Sequence, residues 1–186
     1  PSGIQYSSKS TGGGCNKGHM LGSAERLVTR KTNEQVFYYS NIAPQYSSNF
    51  NNGGGAWNNL ESFVDAQVCA DTTYIVVGTY FEPFTDAYGK SCTSSKIDFG
   101  VSRPSMFYYL LLRTKNGNTK KSVMDCAASE LKCAAFVLRH NMDKGHEPQA
   151  KDMMSVAEIE RLTGFTFFAN VPNAPKDTYN PSDWGL

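Results

Sequence analysis

The sequence predicts an α+β fold, with a mixed, mainly antiparallel central sheet flanked by helices. Three observations predict it. Residues 73–80, 106–113 and 134–138 are β-branched, aromatic or aliphatic runs of strand length. Two stretches, starting near Ala56 and near Ser155, carry apolar residues at helical spacing. Strands and helices alternate without the regular βαβ rhythm of a doubly wound sheet. The 186 residues suit one globular domain, 1–186, long enough for a real core.

Taken in order, residues 1–18 are rich in Ser, Gly and Lys and read as loop with room for a short extended piece. Residues 23–29 read as a short helix capped by Ser23, with Leu27 turned inward. Val36, Phe37, Tyr38 and Tyr39 read as a strand that Pro44 ends. In 46–55 an Asn cluster and three consecutive glycines exclude regular structure and free the backbone to wrap around something. From Ala56, the side chains of Trp57, Leu60, Val64 and Val68 share one helical face, with Glu61 at the edge of that stripe. The strand at 73–80 reads as buried and stops at Pro83; a polar loop containing Cys92 follows over 84–98. The unbroken apolar run at 107–112 predicts a strand covered on both faces, with a turn at Asn116-Gly117. Ser155-Val156-Ala157-Glu158 has the form of a capping box, Ile159 and Leu162 follow on one face, and Gly164 supplies the stop. The segment after Pro172 reads as loop.

Composition excludes some classes. Apolar content of 40% and charge of 19% argue against disorder. A net charge of +1 provides no global basic field, so any polyanionic partner would have to be steered by a local patch. No apolar run approaches the length of a membrane span, so no membrane partner is expected. Pro1-Ser2-Gly3 opens without a charged-then-apolar signal region. The five cysteines form no C-x-x-C pair and are not interleaved with His at zinc-finger spacing. Cys126 and Cys133 are close enough to close a small loop, which hints at one or two disulfides and at export.

Three histidines are candidates for chemistry. His19 and His146 share the tripeptide Lys-Gly-His, so the tripeptide alone signifies little. His146 stands in a polar loop between Asp143 and Glu147-Pro148 and reads as solvated surface; His140 closes a strand and reads as structural. His19 differs in being followed by a strand-like run, an Asn-rich loop and a helix bearing Glu61. A neutral imidazole can take a proton from water, as a general base in hydrolysis does. Asn41, Asn51 and Glu61 offer oxygen ligands, which suit a hard ion such as Mg²⁺ that keeps several of its waters.

Ordered blocks across nearly the whole chain resemble the DNA/RNA non-specific endonucleases of the ββα-metal (His-Me finger) group. Asn16-Lys17-Gly18-His19 is similar to the family's Asp-Arg-Gly-His, and Met20 to Arg26 to its Leu-Ala-Pro-Ser-Ala-Asp-Arg. Ser40-Asn41-Ile42-Ala43-Pro44-Gln45, then Phe50-Asn51, then Trp57-Asn58-Asn59-Leu60-Glu61 resemble its Asn-Pro-Gln block, its metal-binding Asn and its Glu-bearing helix. The resemblance implies a ββα-metal active-site motif and a Mg²⁺-dependent, sugar-non-specific endonuclease, Mn²⁺ or another divalent ion being possible. It implies His19 as general base and Asn51 as the direct metal ligand. Glu61 would hold metal-bound water, and Asn41 would orient His19 or the water network. Lys17 and Arg26 would be the substrate contacts. DNA and RNA are the implied substrates, with an inhibitor protein or a homodimer as further possible partners and a secreted or periplasmic location. The chain departs from the pattern at Asn16, which replaces an acid, and at Lys17, which replaces an arginine. Its Asn-Gly loop is longer, so Asn49, Asn51 and Asn52 are all candidates for the metal. The N-terminal strands that precede the family's histidine motif are not in this sequence. Two other readings stay open: a catalytically weakened nucleic-acid-binding or interaction module, and a phosphodiesterase narrowed to a small substrate.

Overall fold

The computed structural model describes residues 14–23, 26–97 and 100–186. Strand β1 (Cys15–His19) pairs antiparallel with β2 (Ile42–Tyr46), setting Asn16 opposite Gln45, Lys17 opposite Pro44, Gly18 opposite Ala43 and His19 opposite Ile42. The short extended piece allowed within the expected loop at 1–18 is a paired strand from Cys15 onward, and residues 1–13 lie outside the described ones. Short polar residues hid this strand; ribbon pairing overrides their weak β propensity.

Between the two strands runs helix α1 (Arg30–Glu34), capped by Thr29 rather than by Ser23, and Leu27 is exposed rather than inward. Residues 24 and 25 of the expected helix lie outside the described ones. The expected strand at 36–39 is instead two 3-10 turns, Gln35–Phe37 and Tyr39–Asn41, and the strand comes after them. Pro44 sits inside β2 rather than ending it. In a two-stranded ribbon each strand keeps one unpaired edge, where a missing N–H costs nothing.

Helix α2 (Ala56–Asp65) buries Trp57, Leu60 and Val64, as its spacing predicts. It ends before Val68, which is exposed. Next come β3 (Tyr74–Tyr80) and short pairs where a loop is expected: β4 (Phe84–Thr85) with β5 (Ser91–Cys92), and β6 (Ser95–Lys96) with β7 (Ser102–Arg103). The long strands β8 (Met106–Thr114) and β9 (Leu131–Arg139) follow, then β10 (Met153–Met154) and helix α3 (Val156–Thr163). Strand β9 extends beyond the expected 134–138 at both ends.

The four-stranded sheet has the order β10-β9-β8-β3, antiparallel throughout. Alternate residues of β8 serve opposite faces. Phe107, Tyr109 and Leu111 pack with Phe136 beneath Trp57, Leu60 and Val64 of α2. Tyr108, Leu110 and Leu112 pack with Ala135 and Val137 against Val156 and Ile159 of α3. Two covered faces explain the unbroken apolar run. Strand β3 lies at the sheet edge and is half-buried rather than buried. Ser155 and Glu158 make the capping box of α3, and Gly164 closes the helix at φ 74°; Leu162, by contrast, is exposed.

All five cysteines are free, so the expected Cys126–Cys133 bridge is not made; both thiols are buried on different elements. Among the described residues no helix is long and apolar enough to cross a membrane.

Candidate active site

The β1–β2 ribbon, the Asn-rich loop and α2 meet over one end of the sheet. His140 anchors the ribbon there. Its Nε2 accepts from the Tyr46 N–H at 2.9 Å, and its Nδ1–H donates to Pro104 O at 2.9 Å. Both bonds require the neutral ring, and burial pushes its pKa down to about 3. The Tyr109 hydroxyl adds a bond to Met20 O at 3.1 Å. His140 is thus structural, as the sequence suggests.

The Asn-rich loop is pinned at both ends. The Asn51 N–H donates to Tyr46 O, while Ala56 N and Trp57 N donate to Asn49 O and Phe50 O. Phe50, fully buried, stacks on Trp57 at 5.7 Å between ring centroids. The Asn51 carboxamide is therefore presented just ahead of α2, and Glu61 lies on that helix one turn beyond Trp57.

A relay of amides ties this loop to the histidine strand. Asn16 Nδ2 donates to both Asn51 Oδ1 (2.9 Å) and Asn52 Oδ1 (3.0 Å). Asn51 Nδ2 donates to Gln45 Oε1, and Gln45 Nε2 donates to His19 O at 2.8 Å. Gln45 is fully buried, and Gly18 makes room for it. A Cβ at position 18 would lie 2.0 Å from Gln45 Cδ.

Alternation along β1 sends Lys17 and His19 to one side and Asn16 and Gly18 to the other. The structure thus joins Asn51 to the backbone of His19, not to its ring. The ring meets Phe37 edge-on at 5.0 Å. Burial lowers its pKa below the ordinary 6.5, keeping it neutral at neutral pH. Its Nε2 is enclosed and has no hydrogen-bond partner among the described residues. A buried ring nitrogen without a partner costs free energy, so its presence marks a place that a water or substrate group would fill.

Asn41 acts on the backbone. Its Oδ1 accepts from Leu21 N (3.0 Å), and its Nδ2 donates to Leu21 O (2.8 Å) and Val36 O (2.9 Å). It fixes the turn after His19 rather than touching the ring. Lys17 is exposed on the ribbon, and Arg26 Nη2 is drawn to Gln35 Oε1. Asn49 is turned away, donating to Met142 O.

The donor set fits a hard cation. The Asn51 and Asn52 oxygens converge on one amino group, Asn51 is only half-buried, and carboxamide oxygen suits Mg²⁺ or a similar ion. Among the described residues no three His, Cys, Asp or Glu side chains gather as a metal site.

In the second Lys-Gly-His, Lys144 and Gly145 are exposed as expected, but the His146 side chain is turned inward. His146 Nε2 lies 2.7 Å from the buried Asp152 Oδ2, and Gly145 N donates to Gly54 O. This turn braces the Asn-rich loop from outside.

The sequence profile of the DNA/RNA non-specific endonucleases matches residues 2–174. The chain belongs to that family. It is 26% identical to human mitochondrial endonuclease G over 163 residues, covering 86% of this chain and 50% of that protein. It is 28% identical to human mitochondrial nuclease EXOG over 169 residues (86% and 41%) and 27% identical to nuclease C1 of Cunninghamella echinulata over 165 (85% and 58%). The chain thus spans about half the length of these relatives. Among solved structures it resembles a chain of the EndoG/EndoGI complex, with a TM-score of 0.66 at 24% identity, covering 86% of this chain and 61% of that one. That likeness supports the ββα-metal fold.

For this family member, sequence reasoning missed the parts that join the candidates. Gln45 was visible within the Asn-Pro-Gln block, two residues from the inward Ala43 in a strand. A polar residue on a buried strand face must find partners, and that was the available signal. The donor role of Asn16 depends on tertiary pairing and left no such signal.

Proposed function

We propose that the chain is a metal-dependent endonuclease that hydrolyses phosphodiester bonds in DNA and RNA, with His19 as general base. The observation that carries this is the enclosed Nε2 of His19, without a partner among the described residues and on a ring that burial keeps neutral, on a strand bonded through Gln45 to the Asn51 loop. In this reading Nε2 accepts the proton of the attacking water, and the edge-on contact with Phe37 helps fix the ring. Gln45 holds the His19 backbone and Asn41 the turn that follows, so the ring is aimed before substrate arrives. Lys17 contributes a point charge toward phosphate, where an arginine would offer a fork. Mg²⁺, held by Asn51 Oδ1 with Glu61 retaining its waters, would supply charge stabilisation for the phosphate and the leaving oxygen.

Digestion of plasmid DNA and RNA by the purified chain with Mg²⁺ or Mn²⁺ tests the proposal. Activity should vanish with EDTA, with His19→Ala and with Asn51→Ala. Undiminished cleavage by His19→Ala would end the general-base assignment. One observation favours the weakened-module reading: Asn16 occupies a lone pair of Asn51 Oδ1 that an acid at that position would leave open. Binding of nucleic acid without cleavage in any divalent ion would select it. An inhibitor protein is a proposed partner, since a relative was solved in a complex concerned with its inhibition. Export is proposed because a non-specific nuclease damages the nucleic acid of its own cell; the free thiols lend it no support.

A further inference from the structure

Residues 26–41 leave much apolar surface in water. Leu27 is 71% exposed, Val28 88%, Phe37 58%, Tyr38 61% and Tyr39 59%. Scattered exposed apolar residues need no explanation, but three consecutive exposed aromatics, the first of them against His19, do.

The segment is held firmly against the histidine. Val36 is buried as its anchor, and Asn41 N donates to Tyr38 O at 2.8 Å. The Asn41 carboxamide joins Val36 O to the backbone of Leu21, so the aromatic turn and the turn after His19 are clamped by one side chain. Phe37, the first aromatic of the three, touches the His19 ring. The same stretch carries three cations, Arg26, Arg30 and Lys31, against one carboxylate, Glu34, which Arg30 pairs.

We propose that Tyr38, with Phe37 and Tyr39 beside it, is a stacking platform for unpaired bases flanking the scissile phosphate, and that it makes single-stranded or locally unstacked nucleic acid the favoured substrate. The proposal rests on the nuclease reading of His19. Aromatic rings on a segment that also carries a net positive charge suit single strands, whose base faces are free to stack while their phosphates meet the cations. A duplex hides those faces and offers only its phosphates to the cations. Every base has a π-face, so such a platform selects strandedness and not sequence.

Tyr38 is the residue to test, because Phe37 touches the candidate base and Tyr38 projects into solvent. In a His19→Ala background with EDTA, fluorescence anisotropy would compare labelled oligo(dT) with its duplex. Tyr38→Ala should weaken single-strand binding on the order of tenfold and duplex binding less than about twofold, whereas Tyr38→Trp should retain both. A 2-aminopurine single strand should be quenched by the parent protein and much less by Tyr38→Ala. Equal losses on both nucleic acids, or no loss on either, would overturn the platform. So would a Tyr38→Ala change that only converts a dimer to monomer, which would make this face an interface between copies. Absence of cleavage by the unsubstituted chain in every divalent ion would sink the nuclease reading instead, leaving the binding comparison to decide the platform on its own.

Discussion

The two Lys-Gly-His tripeptides use glycine for different physical reasons, and substitution should separate them. Gly18 needs no positive φ; it needs space, since a Cβ there would sit 2.0, 2.2 and 2.4 Å from Gln45 Cδ, Oε1 and Cγ. Ordinary carbon contacts lie at about 3.5–4.0 Å, so Gln45 would have to move by more than about 1 Å. It is fully buried and would lose its bonds to Asn51 and to His19 O. Overpacking costs about 1–3 kcal/mol and each lost bond about 1 kcal/mol, so Gly18→Ala should cost roughly 3–5 kcal/mol. For a chain of this length that is roughly 6–15 °C in Tm. Gly145 is the converse, with φ +80° and nothing within 4 Å of an added Cβ. Gly145→Ala should cost only the left-handed strain of about 1–2 kcal/mol. Thermal melting followed by circular dichroism, with plasmid cleavage on the same samples, provides the assay. Gly18→Ala should also lose about 100-fold or more in rate, because both His19 and Asn51 lose their alignment. Equal melting of the two variants, or a Gly18→Ala protein with unchanged activity, would refute the argument.

Acid should destabilise the fold through His140. Its pKa is about 3 folded against about 6.5 unfolded, so between these values the unfolded state binds more protons. Stability is then complete above about pH 6.5 and falls as pH drops toward 3, by on the order of 5 kcal/mol in all; urea titrations across that window measure it, and His140→Gln should flatten the slope. Cleavage rate should fall on acidification only below about pH 6.5, since burial depresses the pKa of His19; a kcat/KM profile that declines from pH 7.5 downward would contradict this. Asn16→Asp replaces the N–H between the Asn51 and Asn52 oxygens by another acceptor, costing about 1–3 kcal/mol without metal. Mn²⁺ should then raise the Tm of the variant more than that of the parent chain. Reducing agent should leave Tm unchanged, because the five thiols are free; a drop would reveal a disulfide.

The strong periodic elements were legible in the sequence. Apolar spacing located α2 from Ala56, the capping box located α3, and the unbroken run at 107–112 announced a strand covered on both faces. The segment from Cys15 to Tyr46 was not legible in the same way. Its aromatic residues look like a strand, yet Phe37 and Tyr39 lie in two 3-10 turns with Tyr38 the extended residue between them, while the less apolar Ile42–Tyr46 pairs with β1. That ribbon is chosen by long-range bonds from His140 and Gln45, which local propensity does not encode. Among site residues, the spacing of motifs singled out His19, Asn51 and Glu61, but which Asn side chains converge required the fold. Asn51 and Asn52 meet at Asn16, and Asn49 turns to Met142. His146 misled because the buried acid that receives it, Asp152, belongs to the next turn.

The relay from Asn16 through Asn51 and Gln45 to His19 O is built entirely of carboxamides, none of which gains or loses a proton in water. Acidity therefore has no handle on the relay itself and reaches the ribbon through His140 beside it. His140 reports through stability whether the ribbon is seated, and in the proposed mechanism His19 reports through rate whether the base is ready. That separation of scaffold from proposed chemistry along the pH axis follows from amides in place of acids at three positions.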